Sequence, residues 1–189
     1  MNESKTKSLI TPDALIQFWF SERVRPLWFN STPEFDVELR EHYLETYQAA
    51  LNGELAHWAN TPEGALALVI CLDQLPLNMF RGELESFAGE ALSRRVASAA
   101  IERGFDQSLD DVQKAFLYMP YMHSEDLADQ DRVLMLFEKA GLMDNLKWAK
   151  HHHDIVARFG RFPHRNAILS RESTAEELAW LASDEAFKG

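Results

Sequence analysis

Cysteine is almost absent: the 189-residue chain has only Cys71, so no internal disulfide can form and a reducing compartment is expected. Long apolar runs are missing too. The longest, Ala65 to Leu72, is far short of the ~20 residues that span a bilayer, and within it Cys71 is expected to be a buried, inert thiol. The opening residues MNESKTKSLITP have no apolar signal core, so neither secretion nor membrane insertion is expected and the cytoplasm is the expected location. No nucleophile elbow, phosphate-cradling glycine loop, dinucleotide fingerprint or HExxH pattern occurs, so the cofactor stays unknown and no metal is expected. Basic residues are outnumbered, with 19 Lys and Arg against 30 Asp and Glu. The net charge of −11 disfavours nucleic acid and anionic membrane as partners.

What is present points to helices. With 46% apolar residues, the chain fits one domain over 1–189, able to bury roughly 70% of its unfolded surface. Thr11-Pro12, Thr32-Pro33 and Thr61-Pro62 each set a capping residue before proline at a helix start. Ser173 and Glu176 are spaced as a capping box, and Gly53, Gly104, Gly141 and Gly160 follow helical patterns where a left-handed residue is wanted. No alternating strand is evident. The punctuation predicts helices near 12–20, 33–51, 54–59, 62–75, 88–103, 109–119, 124–140, 144–159 and 174–182, with 1–10 and 183–189 frayed. Connections this short predict an all-α fold of antiparallel helix hairpins. Starts near 88 and 124, and near 109 and 144, are spaced like stacked tetratricopeptide-like pairs, although that repeat's residue signature is missing.

Polar residues fall where apolar ones are expected. Trp148, Ile155 and Phe159 form a helical stripe that places His152 inward, with His151 at its margin and His153 away. Gln130 shares a face with Leu127, Leu134 and Phe137, and a buried amide without partners costs about 1–3 kcal/mol. Asp73 follows the all-apolar run near a helix C-terminus, where burial and the dipole both oppose an anion. Arg81 is its nearest candidate partner, either in a site or as an ion pair pinning the Pro76 turn. Upstream of Gln130, Ser124 reads as a cap, and Glu125 and Asp126 as ordinary first-turn acids; His123 has no such explanation.

Between Lys147 and Arg171 six Lys or Arg face one acid, a net +5 that leaves −16 elsewhere. Inside that island Phe159-Gly160-Arg161-Phe162-Pro163-His164-Arg165-Asn166 packs four polar donors into a stiff loop. Guanidinium forks suit carboxylate or phosphate, so the loop reads as an anion-binding element. The alternative is an internal lock in which Arg161 and Arg165 pair with Asp73, Glu125 or Asp126.

The stretches LDQLPLNMFRG (72–82), FLYMPYMHSEDLADQ (116–130) and HDIVARFGRFPHRNAILSRESTAEE (153–177) resemble those of an uncharacterised bacterial family, domain of unknown function 924. The resemblance covers nearly the whole chain. It implies a tetratricopeptide-like helical fold and no named activity, substrate or cofactor. Its matching polar residues are Asp73, Gln74, Asn78, Arg81, His123, Ser124, Glu125, Gln130, His152, Arg161, His164, Arg165 and Asn166. Two positions depart from it: Leu77 stands where the family usually carries Arg, and Ser170 where it usually has Gly.

Together these features predict a small anionic ligand, bound or transformed in a polar pocket built from Asp73, Arg81, His123, Glu125, Gln130, His152, Arg161, His164, Arg165 and Asn166. Histidine beside carboxylate would move protons while arginine holds the anion. The alternative is a tetratricopeptide-like module binding a peptide or protein partner, with aromatics among Trp19, Phe20, Trp28 and Phe29 as its surface. Metal ligation by His123, Glu125 and His152 is the weaker third reading, because no diagnostic ligand spacing accompanies them.

Overall fold

Each Thr-Pro pair starts a helix as expected: the hydroxyls of Thr11, Thr32 and Thr61 accept the amides of Ala14, Phe35 and Gly64. The computed structural model describes residues 9–184 and 186. Among them the helices are α1 (Pro12–Trp19), α2 (Pro33–Leu51), α3 (Pro62–Val69), α4 (Leu75–Met79), α5 (Glu90–Glu102), α6 (Asp111–Met122), α7 (Leu127–Ala140), α8 (Met143–Phe159) and α9 (Ala175–Leu181), with short 3-10 turns and no strand. The all-α expectation holds. The chain divides into two compact units, residues 1–81 with 85–117 and residues 82–84 with 118–189; the boundary falls inside α6. Most of the ends expected to fray lie outside the described residues. Of those described, the Ile10 amide donates to Thr46 Oγ1 at 3.0 Å and the Ser183 hydroxyl to the Trp180 carbonyl at 2.6 Å.

In the first unit, Gly64 to Met79 is buried at every position except Leu77, and α1, α2 and α5 pack around this rod. The sequence predicts a helix that stops before Pro76; instead the backbone widens into a π segment over Ile70–Gln74 and continues as α4. Proline lacks an amide and its ring crowds the carbonyl four residues back; the wider turn relieves both conflicts. Gly89, just before α5, lies against the backbone of Leu72, and a Cβ there would collide with the Leu72 carbonyl. Cys71 is fully buried, and burial pushes its thiol up to about 12, as an inert core residue requires.

In the second unit α7 and α8 pack as a pair joined at Gly141, whose φ of 72° makes the expected left-handed cap. Helix α6 also outruns its predicted end, continuing past Pro120 to Met122. Helix α7 starts later than expected, with Asp126 rather than Ser124 as its cap. The last capping box is Thr174 with Glu177, one residue beyond the predicted pair. Helices beginning at Glu90 and Leu127 are 37 residues apart, whereas those at Asp111 and Met143 are 32 apart. On α8 the inward face is Leu146, Ala149, His152, Ile155 and Val156. Trp148, predicted inward, is 56% exposed although helical periodicity sets it between His152 and Ile155, so burial near the start of α8 is decided by what covers the helix there and not by periodicity. Leu127 is likewise exposed, being the first residue of α7.

Candidate functional site

Two of the ten candidates belong to the first unit. Asp73 is buried in the π segment, and Gln74 Nε2 donates to its Oδ2 at 2.6 Å. Arg81 does not serve as its cation. Its Nε donates to Asp36 Oδ2 at 2.8 Å and its Nη2 to Asn78 Oδ1 at 2.9 Å. Asn78 Nδ2 in turn donates to the Gln74 carbonyl at 3.2 Å. The polar residues here run as a hydrogen-bonded thread along the π segment and α4. Asp36, 45 residues upstream of Arg81, is the partner that short sequence separation concealed.

The other eight lie in the second unit, where the glycine-ended helix α8 delivers the loop 160–174. Gly160 takes φ 69°, Phe162 is fully buried, and Pro163–Arg165 forms one 3-10 turn. Two charge pairs hold this loop. Arg161 Nε and Nη2 donate to the two oxygens of Glu177 at 2.7 and 2.9 Å, and Nη2 also reaches the Glu172 carbonyl at 2.8 Å. The Glu177 carboxylate also accepts from the Thr174 amide at 2.7 Å and Asn166 Nδ2 at 3.3 Å. The Arg161 guanidinium, with these donors, holds the Glu177 carboxyl down at about 2. Glu125 accepts from Arg171 Nη1 and Nη2 at 2.6 and 2.9 Å and from the Phe162 amide at 2.7 Å. Arg171 Nε donates to Asn166 Oδ1 at 3.0 Å, which links the two pairs.

Charge pairs lock this loop, but Arg161 does not form the pairing with Asp73, Glu125 or Asp126 that the sequence offered as the alternative. Arg161 takes Glu177 rather than an upstream acid, and Arg171, which was not among the candidates, takes Glu125. Glu125 to Arg171 is a 46-residue separation, and the only local signal was that Arg171 belonged to the basic island. Gln130 is fully buried, as predicted, and its Nε2 donates to the carbonyls of Met122 and Ser124 at 2.8 and 2.7 Å. That amide satisfies carbonyls left over at the end of α6, which explains how the helix ends beyond a proline.

His152, His164 and Arg165 surround the Phe162 ring. Its centroid lies 5.7 Å from that of His152, 5.6 Å from that of His164 and 4.7 Å from the Arg165 guanidinium carbon. His123 is close enough for its charge to be felt at His152. Burial, opposed by the bond to Trp148 and reinforced by His123, His151 and Arg165, holds His152 down at about 4. Burial and the Arg165 charge do the same to His164, also about 4. The His152 Nδ1 lies 2.9 Å from the Trp148 carbonyl, an acceptor only, so Nδ1 carries the proton and Nε2 is the basic nitrogen. Among the described residues no three His, Cys, Asp or Glu side chains are arranged to hold a metal. No described helix is long and apolar enough to cross a membrane.

A surface hollow of about 430 Å³ runs along α8, lined by Met143, Lys147, Lys150, His151 and Asp154 with the buried Leu146 at its floor. It includes none of the ten candidates. The aromatic surface considered for a partner is mostly packed away: Trp19 is fully buried edge-on to Phe116, Trp28 Nε1 donates to the Trp19 carbonyl, and only Phe29 is widely exposed.

The search of curated proteins finds no match. Among solved structures, ATU0120 of Agrobacterium tumefaciens, described as a protein of unknown function, is similar at 39% identity. It superposes with a TM-score of 0.86, covering 90% of this chain and 96% of that one. The family of bacterial proteins of unknown function called domain of unknown function 924 matches residues 15–185. With nearly its whole length matched, the chain belongs to that bacterial family.

Proposed function

We propose that the second unit binds a small carboxylate or phosphate at the cluster formed by His123, His152, His164 and Arg165 around Phe162. The observation that carries this reading is the gathering of one guanidinium and two imidazoles around the buried Phe162 ring, with centroid distances of 4.7, 5.7 and 5.6 Å to Arg165, His152 and His164. The two carboxylates built into the loop, Glu125 and Glu177, are engaged by Arg171 and Arg161. The Arg165 guanidinium and the two imidazoles meet around Phe162 in surroundings dry enough to keep both histidines neutral. An entering anion would supply the negative charge that lets those rings take up protons. Binding should then strengthen on acidification from neutrality, with protons taken up as the anion binds. The paired residues Glu125, Arg161, Asn166 and Arg171 are scaffold in this reading, and His152 Nε2 is the group placed to accept a proton from a ligand.

Calorimetric titration with inorganic phosphate and with succinate, at pH 5.5 and 8, tests this. Binding is expected at the lower pH, weakened about tenfold in Arg165→Lys, a loss of about 1.4 kcal/mol. Arg161→Ala is expected to lower the melting temperature while keeping the ligand-induced rise. If neither anion shifts melting at either pH, or if Arg165→Lys and His164→Gln bind as the parent does, the reading fails.

A further inference from the structure

We infer that the outer face of α8 docks the outer face of α2 of a second copy of this chain, antiparallel, through complementary charge. The island that makes α8 basic is mostly consumed internally: Arg158 pairs with Glu176, Arg161 with Glu177 and Arg171 with Glu125. Lys147 and Lys150 pair with no acid among the described residues, and they line the α8 hollow beside His151, over Met143 and Leu146. In a chain of net charge −11, two unneutralised lysines over a partly apolar floor call for an acidic partner.

Helix α2 supplies that partner. Glu34, Glu41 and Glu45 are exposed and fall within about 40° of one another at 100° per residue. Val37, 56% exposed, lies on the same side. Lys147, His151 and Arg158 fall within a similar arc on α8. The spacings mirror each other: 34, 41 and 45 step by seven and four residues, as 158, 151 and 147 do in reverse. Both helices rise about 1.5 Å per residue, so an antiparallel pair sets Glu45 against Lys147, Glu41 against His151 and Lys150, and Glu34 towards Arg158, whose guanidinium already holds Glu176 at 2.9 Å and so adds little. Asp154, the acid of the hollow, then faces Glu38, whose carboxylate Arg23 already holds at 2.6 Å; Asp154 itself meets His153 at 3.3 Å. A parallel alignment with Glu34 at Lys147 would bring Glu41 onto Asp154, which favours the antiparallel one. Exposed pairs contribute little individually, so the association should be weak and salt-sensitive.

Sedimentation of the whole protein up to about 0.5 mM, in about 0.05 M and about 0.5 M salt, tests this directly. Concentration-dependent association is expected at low salt and should be lost at high salt. Lys147→Glu with Lys150→Glu should abolish it, and so should Glu41→Lys with Glu45→Lys. These side chains are exposed, so circular dichroism should show both variants folded. Mixing the two variants should restore a complex, since each then offers the charge the other lacks. A parent monomeric at every concentration would overturn the inference, as would association indifferent to both reversals or a mixture that stays monomeric. His152 points to the opposite face of α8, so these variants leave the anion titration as an independent measurement.

Discussion

The first unit and the second both bury polar side chains, and they hold them by different means. Around α3 and α4 the buried groups are Asp73, Gln74 and Asn78, joined by short-range hydrogen bonds within a rod of apolar side chains. Around the loop 160–174 the partners are full charges, Arg161 with Glu177 and Arg171 with Glu125, brought together over 16 and 46 residues. A helix satisfies its own backbone, so burial of Leu, Val and Ile can stabilise it directly. An irregular loop has amides and carbonyls to satisfy and little apolar surface. Charge-assisted bonds to the Phe162 amide, the Phe162 carbonyl and the Glu172 carbonyl do that here. The first unit should therefore answer mainly to lost volume, the second to lost charge and to pH.

The largest expected effect is in the first unit. Leu72→Ala removes a fully buried side chain within the π segment and should cost about 4 kcal/mol in chemical denaturation, with little dependence on salt. A cost below about 1 kcal/mol would show that the rod can collapse around the gap and is not the rigid centre of its unit.

Acid should act next, and on the second unit. His152 and His164 titrate near 6.5 once unfolded and near 4 in the fold. As pH falls below 6.5, protons therefore bind the unfolded chain first. Their full contribution is present above 6.5 and is lost as pH falls from there through 4. Glu177 contributes in a lower window, lost from 4.5 towards about 2 as the carboxylate paired with Arg161 is protonated. Melting scans from pH 7 to 4 should show the first decline, and His152→Gln should flatten it. A parent whose melting temperature is level over that range would remove the contrast between the units.

Glu125→Gln should cost about 2 kcal/mol, because Arg171 and the Phe162 amide each lose a charged acceptor in a half-buried setting. Amide exchange at Phe162 should quicken correspondingly, while exchange in α3 stays unchanged. Equal quickening in both would mean that the loop network does not act locally.

How far the sequence discloses this design follows the same contrast. Helix starts are legible because a Thr-Pro pair acts on its own first turn, and the inward positions of His152 and Gln130 follow from helical periodicity. Helix ends at Pro76 and Pro120 are not, because a π turn accommodates the first proline, and α6 runs on past the second to an end whose carbonyls Gln130 satisfies from ten residues beyond that proline. Trp148 misleads because neither apolarity nor periodicity encodes what covers the start of α8. Among the candidates, residue types are legible and pairings are not: Arg81 with Asp36 and Glu125 with Arg171 depend on which elements meet, which no local pattern encodes.

The smallest effect tests the loop's backbone rather than its charges. Among the described residues Ser170 is the non-glycine residue with positive φ, at 53°. An L side chain in that region costs about 1 kcal/mol or more, while glycine adds roughly 0.5–1 kcal/mol of unfolded-chain entropy, so the two terms nearly cancel. Ser170→Gly should stabilise by a few tenths of a kcal/mol, and Ser170→Val, branched at Cβ, should destabilise by about 1 kcal/mol or more. If Ser170→Gly instead destabilised, the serine side chain rather than the paired arginines would be fixing the turn that delivers Arg171 to Glu125.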